Sequence, residues 1–387
     1  MPDKKRIALF LDGTWNNVSD NTNVWRLKSL CAKSPEQLVY YSAGVGTQSG
    51  EHLSGGMFGI GINEEVISAY EWLVENYEQD AQLFIFGFSR GAFTARSLAG
   101  FISKCGLLKP GSPVSMKQLF ERYRKGTADS VRALGKVVES ELPLEDKWIK
   151  EYSRPIPIWF QGVWDTVGAL GVPLPCVPNV SREDFAFLET DLRINDTHAY
   201  HALAIDEHRE AFAPTLWVKS TPKQGETYPA RDLDHVEQRW FVGAHANVGG
   251  GYENDLLAQI PLEWLMSKAI AHGLEFKDSV VIDGNENTCP IHDSLAEMAH
   301  GIYEILTLGK HYYRPIGAEP VDTGDAVTST IKETIDATVF DRWRSDETYR
   351  PRNLSDWATR RSVDPSTLRQ SVRTHDATPI VSATAAA

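Results

Sequence analysis

The stretch with the clearest chemical potential is Leu83-Phe84-Ile85-Phe86-Gly87-Phe88-Ser89-Arg90-Gly91-Ala92-Phe93. A short apolar run, a G-x-S-x-G turn and a helical segment follow one another in the order of a nucleophile elbow, which would present the Ser89 hydroxyl at the end of a strand. Such a turn is strained, so small residues are needed at Gly87 and Gly91 where neighbouring backbone comes close. The helix behind the serine would aim its N-terminus at the site. The backbone N–H of Arg90 then becomes a donor for an oxyanion, and the helix dipole favours the developing negative charge. The competing reading is a glycine-rich turn with a purely structural role.

A serine hydroxyl is a weak nucleophile at neutral pH and needs a histidine base that is itself oriented by a carboxylate. In hydrolases with this elbow the partners follow in the order serine, acid, histidine. Asp165 ends the strand-like run Ile158-Trp159-Phe160-Gln161-Gly162-Val163-Trp164, and His245 ends Trp240-Phe241-Val242-Gly243-Ala244. The loop behind His245 contains Asn247 and Gly249, which would support the site. A turn cap at Asp165 and a loop histidine at 245 are the plainer alternatives.

His198, His201 and His208 compete as bases. His198 and His201, three apart on a segment with helical spacing, together with Asp206 would also suit a metal, but no third ligand has convincing spacing. Asp206 and Arg209 are expected to form a structural ion pair, and no metal is expected. Asp12-Gly13-Thr14-Trp15-Asn16 ends the first strand-like run. There the N–H of Gly13 or Thr14 would be the second oxyanion donor and Asp12 would close the turn, with metal binding or the triad acid as rival roles for Asp12. The glycines at 44 and 46 lack the third of a dinucleotide fingerprint, and those at 55, 56, 59 and 61 lack a P-loop ending, so no nucleotide cofactor is expected. Trp15, Phe88 and Trp164 would line an acyl pocket or simply pack in the core.

These residues must be carried by a frame that brings strand ends together. Ile7 to Leu11, Leu83 to Phe86, Ile156 to Val163 and Trp240 to Val242 read as buried strands. Ile62 to Tyr77, Ala92 to Ile102 and Ile260 to Ile270 have helical spacing. The alternation predicts an α/β fold with a mostly parallel central sheet and helices on both faces, spanning residues 1–370 as one domain, and the elbow with its ordered partners makes it the α/β-hydrolase type. Ligands of such sheets bind beyond the carboxyl ends of the strands, where all the candidate residues fall. Residues 109–150 read as a helical cap inserted over the site. Residues 273–350 read as a helical appendage with Leu295 to Leu308 its clearest amphipathic stretch, and the Ala/Thr-rich end from 371 reads as disordered.

The formal net charge of −13 over 387 residues argues against nucleic acid, whose phosphates demand clustered Lys and Arg, and against attraction to an anionic membrane. The four cysteines show neither C-x-x-C pairing nor the density of a disulfide scaffold, which points to reduced thiols in a cytosolic setting on synthesis. The apolar run after Lys4-Lys5-Arg6 is too short for a signal peptide, so secretion would require a route without a cleaved signal. No run approaches the roughly 20 apolar residues of a transmembrane helix.

Taken jointly, F-L-D-G-T-W-N, G-F-S-R-G-A-F-T-A-R, G-V-W-D-T-V-G, A-L-A-I-D-E-H-R and G-A-H-A-N-V-G-G-G-Y over roughly residues 7 to 310 resemble an α/β-hydrolase family that includes phospholipase effectors of bacterial type VI secretion. The resemblance implies a triad of Ser89, Asp165 and His245, esterase activity on phospholipid or a related acyl ester, and a secretion-apparatus or immunity protein as partner. Many relatives carry an acid two positions after the histidine, where this chain has Asn247, which leaves Asp165 as the orienting carboxylate. A non-lipid carboxylesterase or thioesterase, and a non-catalytic partner-binding module on the same fold, are the alternatives.

Overall fold

The computed structural model describes residues 4–13, 21–44, 55–124, 130–167, 196–222, 233–282, 284–297, 310–322 and 326–375. Eight strands form the central sheet: β1 (Arg6–Leu11), β2 (Gln37–Ser42), β3 (Gln82–Phe88), β4 (Ile158–Trp164), β5 (Asp196–Ala204), β6 (Val236–Phe241), β7 (Glu333–Ile335) and β8 (Val372–Arg373). They lie in the order β8-β7-β6-β5-β4-β3-β1-β2. Every pairing is parallel except β7 with the edge strand β8. The chain leaves β1 for β2 on one side and returns to lay β3 on the other, so the winding direction reverses between β1 and β3. Open α/β sheets form their ligand crevice at such a reversal.

Period-2 alternation divides the strand residues between two cores. Ile7, Leu9, Leu11, Leu83 and Ile85 face α2 (Gly55–Asn76) and α3 (Arg90–Cys105), whereas Ala8, Phe10, Phe84, Phe86 and Phe88 face α1 (Asn23–Leu30) and the long helix Gln259–Ala271. A third cluster joins Leu203 and Trp240 to the helices Ala337–Ser345 and Arg352–Arg361. Both faces of the sheet are thus covered, as the apolar strands require, and the α/β-hydrolase-like architecture read from the sequence is observed.

Several boundaries differ from the sequence expectations. The helices Met116–Arg124, Val131–Leu134 and Leu144–Tyr152 bury Leu119, Phe120, Tyr123 and Ile149 in the same core as Phe101, Ile102 and Cys105. That is the C-terminal half of α3, remote from Ser89, which corrects the expectation of a cap at 109–150 over the site. Residues 273–350 are not a helical appendage either, because β7 pairs in parallel with β6 inside the central sheet. Most of Leu295 to Leu308 lies outside the described residues. The end is ordered as far as 375, with Val372 paired to Ile335 and Thr374 buried; 376–387 lie outside the described residues. No described helix is long and apolar enough to cross a membrane.

Candidate active site

β3 delivers Ser89 with φ 57° and ψ −120°, a conformation L residues rarely adopt, and α3 starts at the next residue. The turn survives because the backbone packs without side chains: a Cβ at Gly91 would lie 2.2 Å from the carbonyl oxygen of Leu11, and one at Gly87 would lie 2.4 Å from that of Gly91. The Ser89 amide is held by the Trp164 carbonyl at 3.1 Å, which ties the elbow to the end of β4.

Asp165 follows β4 directly, with φ 37°. Its amide bonds to the Ala202 carbonyl at 2.7 Å, fixing the residue against β5. His245 follows β6 as the first residue of the short helix His245–Gly249. Its Nε2 lies 2.8 Å from Ser89 Oγ and its Nδ1 lies 2.6 Å from Asp165 Oδ2. A hydroxyl, an imidazole and a carboxylate from three strand ends are therefore hydrogen-bonded in series. This geometry allows the ring to take a proton from Ser89 while Asp165 holds the tautomer that leaves Nε2 free.

The electrostatics suit that task. Burial alone would raise the carboxyl of Asp165, but Arg314 and His245 outweigh it and hold the group well below the usual carboxylate range. Arg314 is fully buried and binds Asp165 through its two terminal guanidinium nitrogens, at 2.6 and 2.9 Å. It also donates to the carbonyls of Ala204 at 2.9 Å and Phe212 at 2.6 Å. Burial lowers His245 below its ordinary value in spite of Asp165, so the ring is neutral and able to accept a proton. Phe88 lies against this ring at 4.6 Å and Phe212 meets it edge-on at 5.1 Å. Gly249 makes room for Phe88, since a Cβ there would lie 1.9 Å from that ring.

The loop behind His245 is tied down by residues named from the sequence and by others that were not. Asn247 Oδ1 accepts from the amides of Ala244 at 3.0 Å and His292 at 3.2 Å, and its Nδ2 donates to Asp255 at 3.0 Å. Glu207 accepts from the His245 amide at 3.3 Å and from Ser294 Oγ at 2.9 Å. The expected Asp206–Arg209 ion pair is replaced by Glu207 with Arg209, at 2.7 Å, while Asp206 accepts from the Gly243 amide at 2.8 Å and from the Tyr349 hydroxyl at 3.2 Å.

Asp12 serves the turn after β1, accepting from the Thr22 hydroxyl at 2.6 Å and the Tyr41 hydroxyl at 3.1 Å. Its Oδ1 also takes the Gly13 amide at 2.8 Å, which corrects the expectation that this N–H is a free oxyanion donor. Thr14 and Trp15 lie outside the described residues. Arg90 opens α3 beside Ser89, with its guanidinium lowered to about 10 by burial while nearby Glu65 opposes the shift. Trp164 is wholly buried, and its Nε1 donates to the Pro261 carbonyl at 3.2 Å, so it belongs to the core instead of an acyl pocket.

The competing histidines fall elsewhere. Residues 196–204 form a strand, not a helix, so His198 and His201 point to opposite faces and share no metal site with Asp206. His201 Nε2 accepts from the Thr166 amide at 3.0 Å, and burial lowers the ring to about 3. It acts as a neutral support behind Asp165. His208 lies beside the Tyr312 carbonyl at 3.2 Å. Arg314 was missed from sequence; its only signal is a basic residue in a stretch otherwise read as appendage.

The family model described as the catalytic domain of Tle1-like phospholipase effectors of the type VI secretion system matches residues 5–268. The chain belongs to this family. An uncharacterized protein of Saccharomyces cerevisiae is 30% identical over 300 residues, which are 72% of this chain and 42% of that one. Among solved structures, an uncharacterized Pseudomonas aeruginosa protein is 18% identical, covering 78% of this chain and 51% of its own, with a TM-score of 0.47. A Tle1 effector bound to the VgrG spike of the type VI secretion system is 19% identical, covering 65% and 52%, with a TM-score of 0.32. The chain thus spans about half the length of these solved relatives and less than half of the yeast protein.

Proposed function

We propose that this Tle1-like domain hydrolyses carboxylic esters of phospholipids through an acyl-enzyme on Ser89. The observation that carries the reading is the hydrogen-bonded series from Ser89 Oγ through His245 to Asp165, within a chain of the Tle1-like phospholipase family. Ser89 Oγ attacks the ester carbonyl carbon while its proton passes to His245 Nε2, and Asp165 steadies the imidazolium. The tetrahedral oxyanion forms beside the N-terminus of α3, where the Arg90 amide is a donor. Collapse expels the alcohol, which takes the proton from His245. Water deprotonated by the same ring then releases the fatty acid and restores the serine.

The family supports two further parts of this reading. As a Tle1-like effector domain, the chain would be delivered by a type VI secretion apparatus and engage a component of that apparatus; an immunity protein that neutralises it in the producing cell is a further part of the proposal. A second reading has the same site hydrolyse a non-lipid carboxylic ester or thioester.

The test is labelling by a fluorophosphonate probe, with the modified residue located by peptide mass spectrometry. Ser89 is expected to be labelled in the native chain and Ser89→Ala to be inert. Absence of labelling at Ser89 would remove the acyl-enzyme reading. Release of fatty acid from phospholipid vesicles, compared with short p-nitrophenyl esters and thioesters, separates the two substrate classes.

A further inference from the structure

At the sheet edge opposite Ser89, three histidines from separate elements converge. His198 lies near the start of β5, His235 immediately precedes β6, and His272 caps the C-terminus of the helix Gln259–Ala271. One ring nitrogen of each lies within 4.8 Å of the others. The strands run in parallel from this edge toward the residues 89, 165 and 245, and six strand residues at about 3.3 Å each put roughly 20 Å between the two places. We propose that His198, His235 and His272 form a structural site for a divalent first-row transition ion of the zinc class.

Three observations support this. First, His198 is 6% exposed, and its Nδ1 is buried with no hydrogen-bond partner among the described residues. A buried nitrogen left unsatisfied is costly unless something unseen binds it. Second, the cluster is built rather than incidental: the Trp159 indole donates to the His272 carbonyl at 2.9 Å and meets the His198 ring edge-on at 4.8 Å. The Ala199 amide also holds the His235 carbonyl at 2.9 Å. Third, the Tyr200 hydroxyl lies 2.9 Å from His272 Nε2 and orients that ring, the usual role of outer partners around metal-bound imidazoles.

Imidazole donors alone select zinc, copper, nickel or cobalt over magnesium or calcium, which require oxygen. Tetrahedral binding at about 2.0–2.1 Å brings ligand nitrogens to about 3.3 Å from one another. Here the His198 and His272 rings stack at 3.6 Å between centroids. Closing on an ion therefore tilts His272, which is half-buried, and swings in His235, which is exposed, toward the fixed His198. Solvent on the His235 side supplies the fourth ligand. The nearby Lys268 ammonium is directed to Glu237 at 2.9 Å, which offsets its charge.

The test uses the whole chain, stripped with a chelator and titrated with ZnCl2 by calorimetry, with melting temperature followed in parallel. One ion per chain is expected, together with a rise of about 3 °C in melting temperature at 100 times the dissociation constant. His235→Asn and His272→Asn should each weaken binding at least about tenfold. His245→Asn should leave it unchanged, which separates this site from coordination at residue 245. Either of two results would overturn the proposal: no stoichiometric zinc binding by the native chain, or binding of native strength in the His235→Asn/His272→Asn double variant.

Discussion

Replacing Arg314 by methionine tests the energetic logic of the site most directly. Asp165 is 0% exposed and accepts four hydrogen bonds, two from Arg314, one from His245 and one from the Ala204 amide. Arg314→Met halves that set and leaves a buried carboxylate without its positive partner, a change that costs about 3–5 kcal/mol. At about 2.1 cal/mol/K per residue, unfolding a chain of 387 residues carries an entropy of about 0.8 kcal/mol/K, so the melting temperature should fall by about 4–6 °C. Asp165→Asn alone should be destabilising too, because it strands the buried guanidinium. The double variant removes both charges and should lose less than the sum of the single losses. Probe labelling at Ser89 gives a second readout. With Arg314 gone the Asp165 carboxylate is less neutralised, stabilises the imidazolium more, and shifts the acid limb of labelling to higher pH. A fall of less than 1 °C on Arg314→Met (roughly 1 kcal/mol or less), or additive losses in the double variant, would refute the idea that Asp165 depends on this cation.

Three other outcomes are expected. The φ of 57° at Ser89 costs a non-glycine residue about 1–3 kcal/mol, part of which glycine returns through chain entropy. Ser89→Gly should therefore melt about 1–2 °C above Ser89→Ala, both unlabelled, and a glycine variant melting lower would show that the elbow is unstrained. Because His245 lies below its ordinary value of 6.5, the neutral base persists as pH falls past 6.5, so half-maximal labelling of the native chain should come below that pH. A midpoint at or above 6.5 contradicts the reasoning. Gly249→Ala must displace the Phe88 ring that packs on His245, so labelling should slow at least about tenfold; an unchanged rate would show that the ring does not position the base.

The elements that carry Ser89, Asp165 and His245 were legible because each is a compact apolar run ending at the chemically distinctive residue, and parallel strands leave their C-terminal ends on one edge. β5 was misread as helical. It is buried along nearly its whole length, so its sequence shows no apolar-polar alternation, and its alanines favour a helix. β7 and β8 have three and two residues, too few for any period to register. The helices at 109–150 were recognised as helices, but which surface they cover depends on Phe101 and Cys105 at the far end of α3, a contact no local pattern encodes.

The sequence by itself determined the fold class, the strand-like runs that end at the candidate residues, and the glycines that permit the turn at Ser89, because these depend on local periodicity and backbone sterics. Only the tertiary structure decided that Arg314 neutralises Asp165 across 149 residues, that Glu207 rather than Asp206 pairs with Arg209, and that three dispersed histidines meet at the opposite edge. A charge or an imidazole carries no record in the sequence of which distant partner will desolvate or balance it. That pairing is fixed when the sheet brings remote strand ends within a few ångströms of one another.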